Sequence, residues 1–330
     1  MRRILGAVLS PFAKTTGLAR WILVAGVLIT AFFVVLAIFA PWIAPYGFAQ
    51  ASAHGVAFPK LAPPGHGHLF GTNNLEFDVL SRTIWGARTA LEVVLLSVVV
   101  SLVIGVPLGL ISGYSGGWLD RGITLVMDAI YTFPSLLLAI VFAFLLTNLV
   151  GGGVVSAAMS LTVIYIPQYF RVVRNTTISA KEETYVEAAR AIGASDGVVM
   201  RRYLFGNVVQ SVPVIGTLNA ADAISTLAGL GFLGLGLQPN QAAEWGYDLS
   251  RAILDASSGV WWTGLYPGLA IVCLVTGLTL IGEGLNETVN PILRRRRLLP
   301  VVLPPRVRRP SAVVTEASPE VGMPAAEGEL

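Results

Sequence analysis

Six apolar runs, each about the length of a membrane-crossing helix, dominate this chain of 330 residues. A helix needs about 20 mainly apolar residues to cross the hydrocarbon core of a bilayer. Lipid offers no hydrogen-bond partner to an open backbone, so continuous helices are expected. The sequence therefore predicts an all-α integral membrane protein with six transmembrane helices. The predicted spans are Trp21–Ala44, Thr89–Ser112, Gly122–Thr147, Val154–Phe170, Val208–Leu235 and Trp262–Gly282.

The charged residues support this reading and also give an orientation. They make up only 12% of the chain, about half the share in ordinary soluble domains. An even number of spans puts both termini on one side of the membrane. Eighteen of the 22 Lys and Arg residues lie on that side, and the other side holds only Lys60, Arg82, Arg88 and Arg251. The positive-inside rule then predicts that both termini are cytoplasmic.

The segments outside the apolar runs predict a simple organisation. A basic cytoplasmic lead precedes the six-span domain, and a Pro-rich tail without apolar periodicity follows it, which we expect to be disordered. The boundaries are 1–20 for the lead, 21–293 for the membrane domain and 294–330 for the tail. Within the membrane domain we predict an external segment at 46–86, a large cytoplasmic loop at 171–207 and a second external loop at 236–261.

The cytoplasmic loop has a helical pattern of its own. Tyr185, Ala188, Ala189 and Ile192 recur at helical spacing and form one stripe of mostly small apolar residues. Gly193 is suited to end this helix, and Ser195 or Asp196 to begin a second one toward Phe205. The stripe can pack on the protein's own helices or receive a partner, and the small side chains favour the partner.

Several ordered motifs resemble the dipeptide and oligopeptide (DppC/OppC-type) permeases of ABC importers. The run Glu187-Ala-Ala-Arg-Ala-Ile-Gly193 looks like the EAA loop of such permeases. The other motifs are His68–Thr72, Asp78–Arg82, Gly113–Asp120, Phe133–Ile140, Gly231–Pro239, Glu244–Gly246 and Tyr266–Ile271. The likeness covers roughly residues 20–297.

This resemblance implies the fold of a type I importer permease in a bacterial cytoplasmic membrane, and it implies the partners. They are a homologous second permease, two ABC ATPase subunits, an extracytoplasmic substrate-binding protein and a peptide substrate. Nucleic acid is not expected among them. The residues implied to couple to the ATPase are Glu187, Ala188, Ala189, Gly193 and Tyr203. The residues implied to contact the binding protein are Asp78, Arg82, Gln238 and Trp245.

The chain also departs from the family's usual pattern. Arg202-Tyr203-Leu204-Phe205-Gly206-Asn207 stands where Arg-His-Ile-Leu-Pro-Asn is usual. A glycine in place of the proline removes the rigid end of the second loop helix, so we expect that helix to run on toward the fifth span with less of a break. The external motif Gly71-Thr-Asn-Asn-Leu-Glu-Phe-Asp78 is also divergent.

The sequence contains no recognisable nucleotide or metal site. Gly229-x-Gly231-x-x-Gly234 matches a dinucleotide fingerprint in letters, but it lies in an apolar helical run, where glycines serve close helix packing. No lysine follows a glycine, so a P-loop is absent and ATP and Mg²⁺ are expected to bind to the partner ATPases. The three His residues lack cysteine neighbours, and we predict no metal and no catalytic residue. The chain is thus not expected to be an enzyme.

Two acidic residues fall well inside predicted spans. Asp128 is expected to pair with Arg121 or Arg171 or with a neighbouring helix end. Asp222, with Asn219 beside it, either lines the transport pathway or pairs with another helix, and both readings stay open at this point.

The function predicted from the sequence is ATP-driven import of di- and oligopeptides by alternating access, coupled through the EAA loop. One alternative is another solute of the same branch, such as glutathione or a nickel complex. A second alternative is a membrane scaffold or sensor that moves no solute. A secondary transporter is disfavoured, because no internal repeat is visible and intramembrane charges are few.

Overall fold

The computed structural model describes residues 18–289, and the predicted basic lead and disordered tail lie almost wholly outside them. Nine helices of eight residues or more form the body of this described part. They are α1 Leu18–Ile43, α2 Val79–Ser115, α3 Gly117–Thr132, α4 Ser135–Val150, α5 Gly153–Ala180, α6 Thr184–Ala191, α7 Val212–Phe232, α8 Trp245–Ala256 and α9 Trp262–Val289. A small antiparallel hairpin pairs β1 Ser52–Ala53 with β2 Val56–Ala57.

The helices of the described part do not confirm the predicted count of six spans. Four helices of the described part (α1, α2, α5 and α9) are long and apolar enough to cross a membrane. A fifth span is possible if the pair α3 and α4 counts as one, although the pair is bent by 97°. Helix α7 is 21 residues long, but polar residues such as Asn219 and Asp222 lower its mean hydropathy. The count of six therefore stays a prediction.

The bend in the third predicted span has a local cause. Phe133 and Pro134 separate α3 from α4, and both have extended backbone, with ψ of 140° and 127°. Proline disfavours the helical region for the residue before it and supplies no backbone N–H of its own. The predicted continuous helix is therefore two half-length helices.

Helices α2 and α5 form the closest pair in the bundle. Gly105, Gly109 and Gly113 follow one another at four-residue spacing along α2. A Cβ at these positions would lie 2.9, 2.7 and 2.7 Å from successive backbone oxygens of α5, those of Ile166, Phe170 and Arg174. Small residues at this spacing let two membrane helices approach backbone to backbone. The 37-residue α2 is thereby held along its C-terminal half by α5.

Candidate coupling, pathway and external sites

The loop at 171–207 forms the helix that its pattern predicts. Helix α6 spans Thr184–Ala191, and Gly193 follows it with φ of +86°, a conformation that favours glycine. A three-residue turn Asp196–Val198, a π-helical stretch Val199–Leu204 and the turn Phe205–Val208 then lead toward α7. The chain therefore stays helical through Gly206, where the family's proline would stop it.

The two faces of α6 differ in exposure. Val186 and Ala189 are buried and pack with Val199 and Leu204 in a small apolar cluster. Glu187, Ala188 and Ile192 are exposed, and Ile192 retains 79% of its accessible surface. The predicted stripe is thus divided, because Ala189 packs inward while Ala188 and Ile192 face outward. We call the exposed set Glu187, Ala188, Ala191 and Ile192 the α6 face.

Polar contacts attach this loop to the end of α2. The Tyr114 hydroxyl donates to Asp196 Oδ1 at 2.5 Å, and the Arg190 guanidinium lies over the Tyr114 ring at 5.3 Å. Lys181 Nζ donates to the carbonyl oxygen of Gly113 at 3.1 Å. The segments before and after α6 are therefore both attached to the last residues of α2.

A second polar junction joins the same end of the bundle. Arg174 of α5 donates through Nε and Nη2 to the two carboxylate oxygens of Asp120 in α3, at 2.5 and 2.7 Å. Ser112 of α2 donates to the same carboxylate. A bidentate guanidinium–carboxylate pair adds directional specificity as well as energy. Three helices therefore meet at Asp120, for which the sequence predicted no separate role.

A cavity of about 580 Å³ opens at the break between α3 and α4. Its wall is completed by α5 and α7, and its polar lining includes Gln168, Asn219 and Asp222. The Tyr165 hydroxyl, fully buried in α5, donates to Asp222 Oδ2 at 2.8 Å. The structure thus places both residues predicted for the pathway, Asn219 and Asp222, on one cavity.

The other intramembrane acid, Asp128, has the partner expected from the sequence. Arg171 Nη2 donates to Asp128 Oδ1 at 2.7 Å, and the same guanidinium lies over the Tyr131 ring at 3.9 Å. Asp128 is therefore neutralised within this chain, whereas Asp222 is hydrogen-bonded only to a neutral hydroxyl among the described residues.

Three residues predicted to contact a binding protein lie in the interior instead. Asp78, Arg82 and Trp245 each expose only 2% of their surface. Asp78 caps α2 by accepting from Ser81, and Trp245 Nε1 donates to the carbonyl oxygen of Thr83. Of the four residues predicted for this contact, Gln238 alone is exposed. A side chain enclosed by its own chain has little surface to offer a partner, so the contact of these three residues with a binding protein stays a prediction.

Arg82 is the centre of this interior cluster. Its Nε lies 2.8 and 2.9 Å from the two carboxylate oxygens of Asp248, and its Nη1 donates to the carbonyl oxygen of Phe48. Asp78 in turn lies 2.9 Å from His68 Nδ1. The guanidinium therefore joins the external segment, α2 and α8. We call Asp78, Arg82, Glu244, Trp245 and Asp248 the external cluster.

The Glu244 side chain caps the N-terminus of α8 and lies against Gly231, where a larger residue has no room. Its carboxylate accepts from the backbone N–H groups of Gly246 and Tyr247 at 2.8 and 2.7 Å. Burial raises the pKa of this carboxyl to about 8, although both hydrogen bonds oppose the shift. A Cβ on Gly231 would lie only 1.5 Å from Glu244 Oε2. Gly231, part of the pattern that matches a dinucleotide fingerprint in letters, thus leaves room for the buried carboxylate of Glu244.

A bundle of apolar helices with a polar cavity at a broken span has the architecture of a membrane transport protein. The chain belongs to the binding-protein-dependent transport system inner membrane components, whose family model matches residues 105–295. Members are permease subunits of transporters in the inner membrane, with several membrane-spanning helices and no catalytic role.

Curated relatives support the same assignment. The chain is 34% identical to the dipeptide transport system permease protein DppC of Alkalihalophilus pseudofirmus, covering 82% of this chain and 86% of the relative. It is 35% identical to the glutathione transport system permease protein GsiD of Pectobacterium atrosepticum, with 70% and 75% covered. The GsiD protein of Escherichia coli O157:H7 is 34% identical, with 79% and 83% covered.

A solved structure confirms the fold. An inward-facing structure of the MetNI methionine ABC transporter contains a chain that aligns with a TM-score of 0.52 at 21% identity. The alignment covers 63% of this chain and 96% of that one. The fold predicted from the sequence, that of a type I ABC importer permease, is therefore confirmed.

Proposed function

We propose that this chain is the permease subunit of an ATP-driven importer that moves peptides across the bacterial cytoplasmic membrane by alternating access. The observation that carries the proposal is the α6 face, an exposed surface of small residues on a helix fixed to α2 by Tyr114 and Lys181. A surface of this kind accepts a partner closely and transmits its movement to the bundle.

Within this proposal the loop residues have different roles. Glu187 and Ala188 contact a groove of an ATPase subunit. The site for ATP and Mg²⁺ belongs to that subunit. Ala189 packs inward and Gly193 makes the turn, so both position the α6 face. Tyr203, half-buried beside the same apolar cluster, supports it from the second helical stretch.

The remaining partners follow from the family and the charge distribution. A homologous permease covers the open side of the cavity, and an extracytoplasmic binding protein delivers solute near Gln238. The excess of Lys and Arg on one side supports a cytoplasmic position for both termini. Asn219 and Asp222 line the pathway between the two permeases.

Peptides are the solute class best supported by the relatives. DppC is named for dipeptide transport and GsiD for glutathione, itself a peptide with free amino and carboxyl groups. Glutathione is therefore the second candidate. Uptake of labelled dialanine and of labelled glutathione, measured separately in cells that express the complete importer, separates the two candidates, because only the transported solute accumulates.

The test of coupling uses two substitutions on the α6 face in the reconstituted complex. Glu187→Ala removes a carboxylate suited to a basic group of the ATPase, and Ala188→Trp blocks close approach. Both are expected to abolish solute-stimulated ATP hydrolysis and uptake, since losing one partner of a desolvated pair costs about 2–5 kcal/mol. Matched controls are Glu182→Ala, an exposed acid outside α6, and Ala188→Ser, which stays small.

The outcome separates transport from scaffolding. Normal uptake in both variants contradicts the coupling role of the α6 face. A wild-type complex that hydrolyses ATP without taking up any peptide supports a scaffold or sensor instead.

A further inference from the structure

The Asp222 carboxylate lies at the middle of α7, in the wall of the cavity of about 580 Å³. Tyr165 donates to its Oδ2, which holds the carboxylate in one orientation. Within the described residues, Oδ1 receives no hydrogen bond. The side chain is exposed in the single chain, so this free oxygen is accessible from the cavity.

No cation of the described chain compensates this charge. None of the ion pairs in residues 18–289 includes Asp222. The neighbouring Arg171, one turn beyond the lining residue Gln168, is committed to Asp128 and to the Tyr131 ring. Acids inside membrane helices are rare and usually have a counter-charge or a cation to receive. The cavity therefore carries an unbalanced negative charge.

The rest of the lining is neutral. It combines polar side chains, such as those of Thr132, Ser135 and Gln168, with apolar ones and holds no basic residue. The volume is within the range of small-molecule sites, about 300–1,000 Å³. Asp222 is thus the one charged group of the lining, and its sign selects for a positively charged part of the ligand.

We infer that Asp222 binds the ammonium group of the transported solute, and that this site makes the pathway itself selective for solutes with a free amine. The inference rests on the import function proposed above. The competing arrangement is a permanent ion pair between Asp222 and a basic residue of the companion permease, which leaves no charge for the solute.

Charge-selective labelling of the complete importer distinguishes these arrangements without relying on transport. Leu218 is 42% exposed on the same face of α7, one turn before Asp222. Leu218→Cys is made in a background with Cys273→Ser, because the native thiol is also exposed. The probes are the cationic aminoethyl and the anionic sulfonatoethyl methanethiosulfonates, with rates corrected for their reactivity toward a free thiol.

We expect the cationic probe to react about 10-fold faster or more, since a nearby unpaired carboxylate concentrates positive charge. Asp222→Asn should abolish this preference, whereas Glu182→Gln, which changes an exposed acid outside the cavity lining, should leave it unchanged. Equal rates for both probes in the assembled complex overturn the inference and indicate a companion cation.

Uptake provides the second readout. Asp222→Asn is expected to lower dialanine uptake about 10- to 100-fold, the loss typical of a hydrogen bond to a charged group. Unchanged dialanine uptake in this variant overturns the inference while import itself stands. A wild-type importer that takes up neither dialanine nor glutathione, yet still prefers the cationic probe, contradicts the import function and retains Asp222 as a cation site.

Discussion

The two ends of this bundle are built in different ways. The external cluster is an interior, in which Arg82, Glu244 and Trp245 are almost fully buried and each has partners within the chain. The α6 face at the other end is exposed, and Ile192 is left 79% accessible. The side chains of the external cluster thus find their partners within this chain, whereas the α6 face is the surface for which we propose a partner protein. Substitutions should therefore affect stability at the first and coupling at the second.

The largest loss of stability is expected from Arg82→Ala. It leaves the mostly buried carboxylate of Asp248 without its counter-charge, and breaking a buried pair typically costs about 3–5 kcal/mol. Arg88→Ala is the matched control, since its pair with Glu92 is largely exposed and should contribute less than about 1 kcal/mol. Thermal unfolding of the detergent-solubilised full chain measures both. Equal shifts in the two variants would remove the distinction between the cluster and an ordinary surface pair.

A smaller loss is expected from Gly231→Ala. The added methyl overlaps the Glu244 carboxylate, and overpacking of this kind typically costs about 1–3 kcal/mol. Gly229→Ala is the control from the same motif, because its Cβ meets only a Leu136 methyl group, at 3.2 Å. The same unfolding measurement applies, and a Gly229 variant as unstable as the Gly231 variant contradicts the packing explanation.

The pH dependence of stability should follow Glu244. Its folded pKa of about 8 lies above the ordinary 4.5, so the folded state binds more protons between these values. The contribution of this group to stability is complete below about pH 4.5 and is lost as the pH rises to about 8. Burial also raises the pKa of Asp248, which acts in the same direction. Glu244→Gln should flatten the fall in unfolding temperature over this window, and an unchanged slope counts against the assignment.

The smallest effect on stability is expected at the α6 face. Ala188→Trp adds bulk where nothing in this chain is displaced. The free energy of unfolding of this variant should therefore match that of the wild type within about 0.5 kcal/mol. Uptake by the complete complex should nevertheless be lost, as argued above. A destabilised Ala188→Trp chain would mean that the α6 face packs internally, and the contrast between the two ends would fail.

Much of the fold could be predicted because its signals are local. Apolar runs located the helices, and Gly193 marked the turn after α6. The four-residue spacing of Gly105, Gly109 and Gly113 is also a local signal, because it indicates a close helix contact, although it does not name α5 as the partner. Pro134 predicts a kink in its helix, but the size of the bend, 97°, is not predictable because apolar residues continue on both sides and the run has the length of one span.

The candidate sites were less predictable because their geometry depends on distant residues. Asp78, Arg82 and Trp245 look like surface residues of an external loop, yet their partners bury them. Arg82 and Asp248 are 166 positions apart. No periodicity relates two such side chains, and only the packing of α8 against α2 brings them together.

The sequence by itself determined that this protein is a membrane permease, because hydropathy and charge asymmetry are sums over local composition and the family motifs are contiguous. Only the tertiary structure decided which charges are paired. Arg171 neutralises Asp128 and Arg82 holds Asp248, while Asp222 is left with a hydroxyl. An ion pair requires two side chains within a few ångströms, and that distance is set by how the helices pack rather than by the residues of either helix alone.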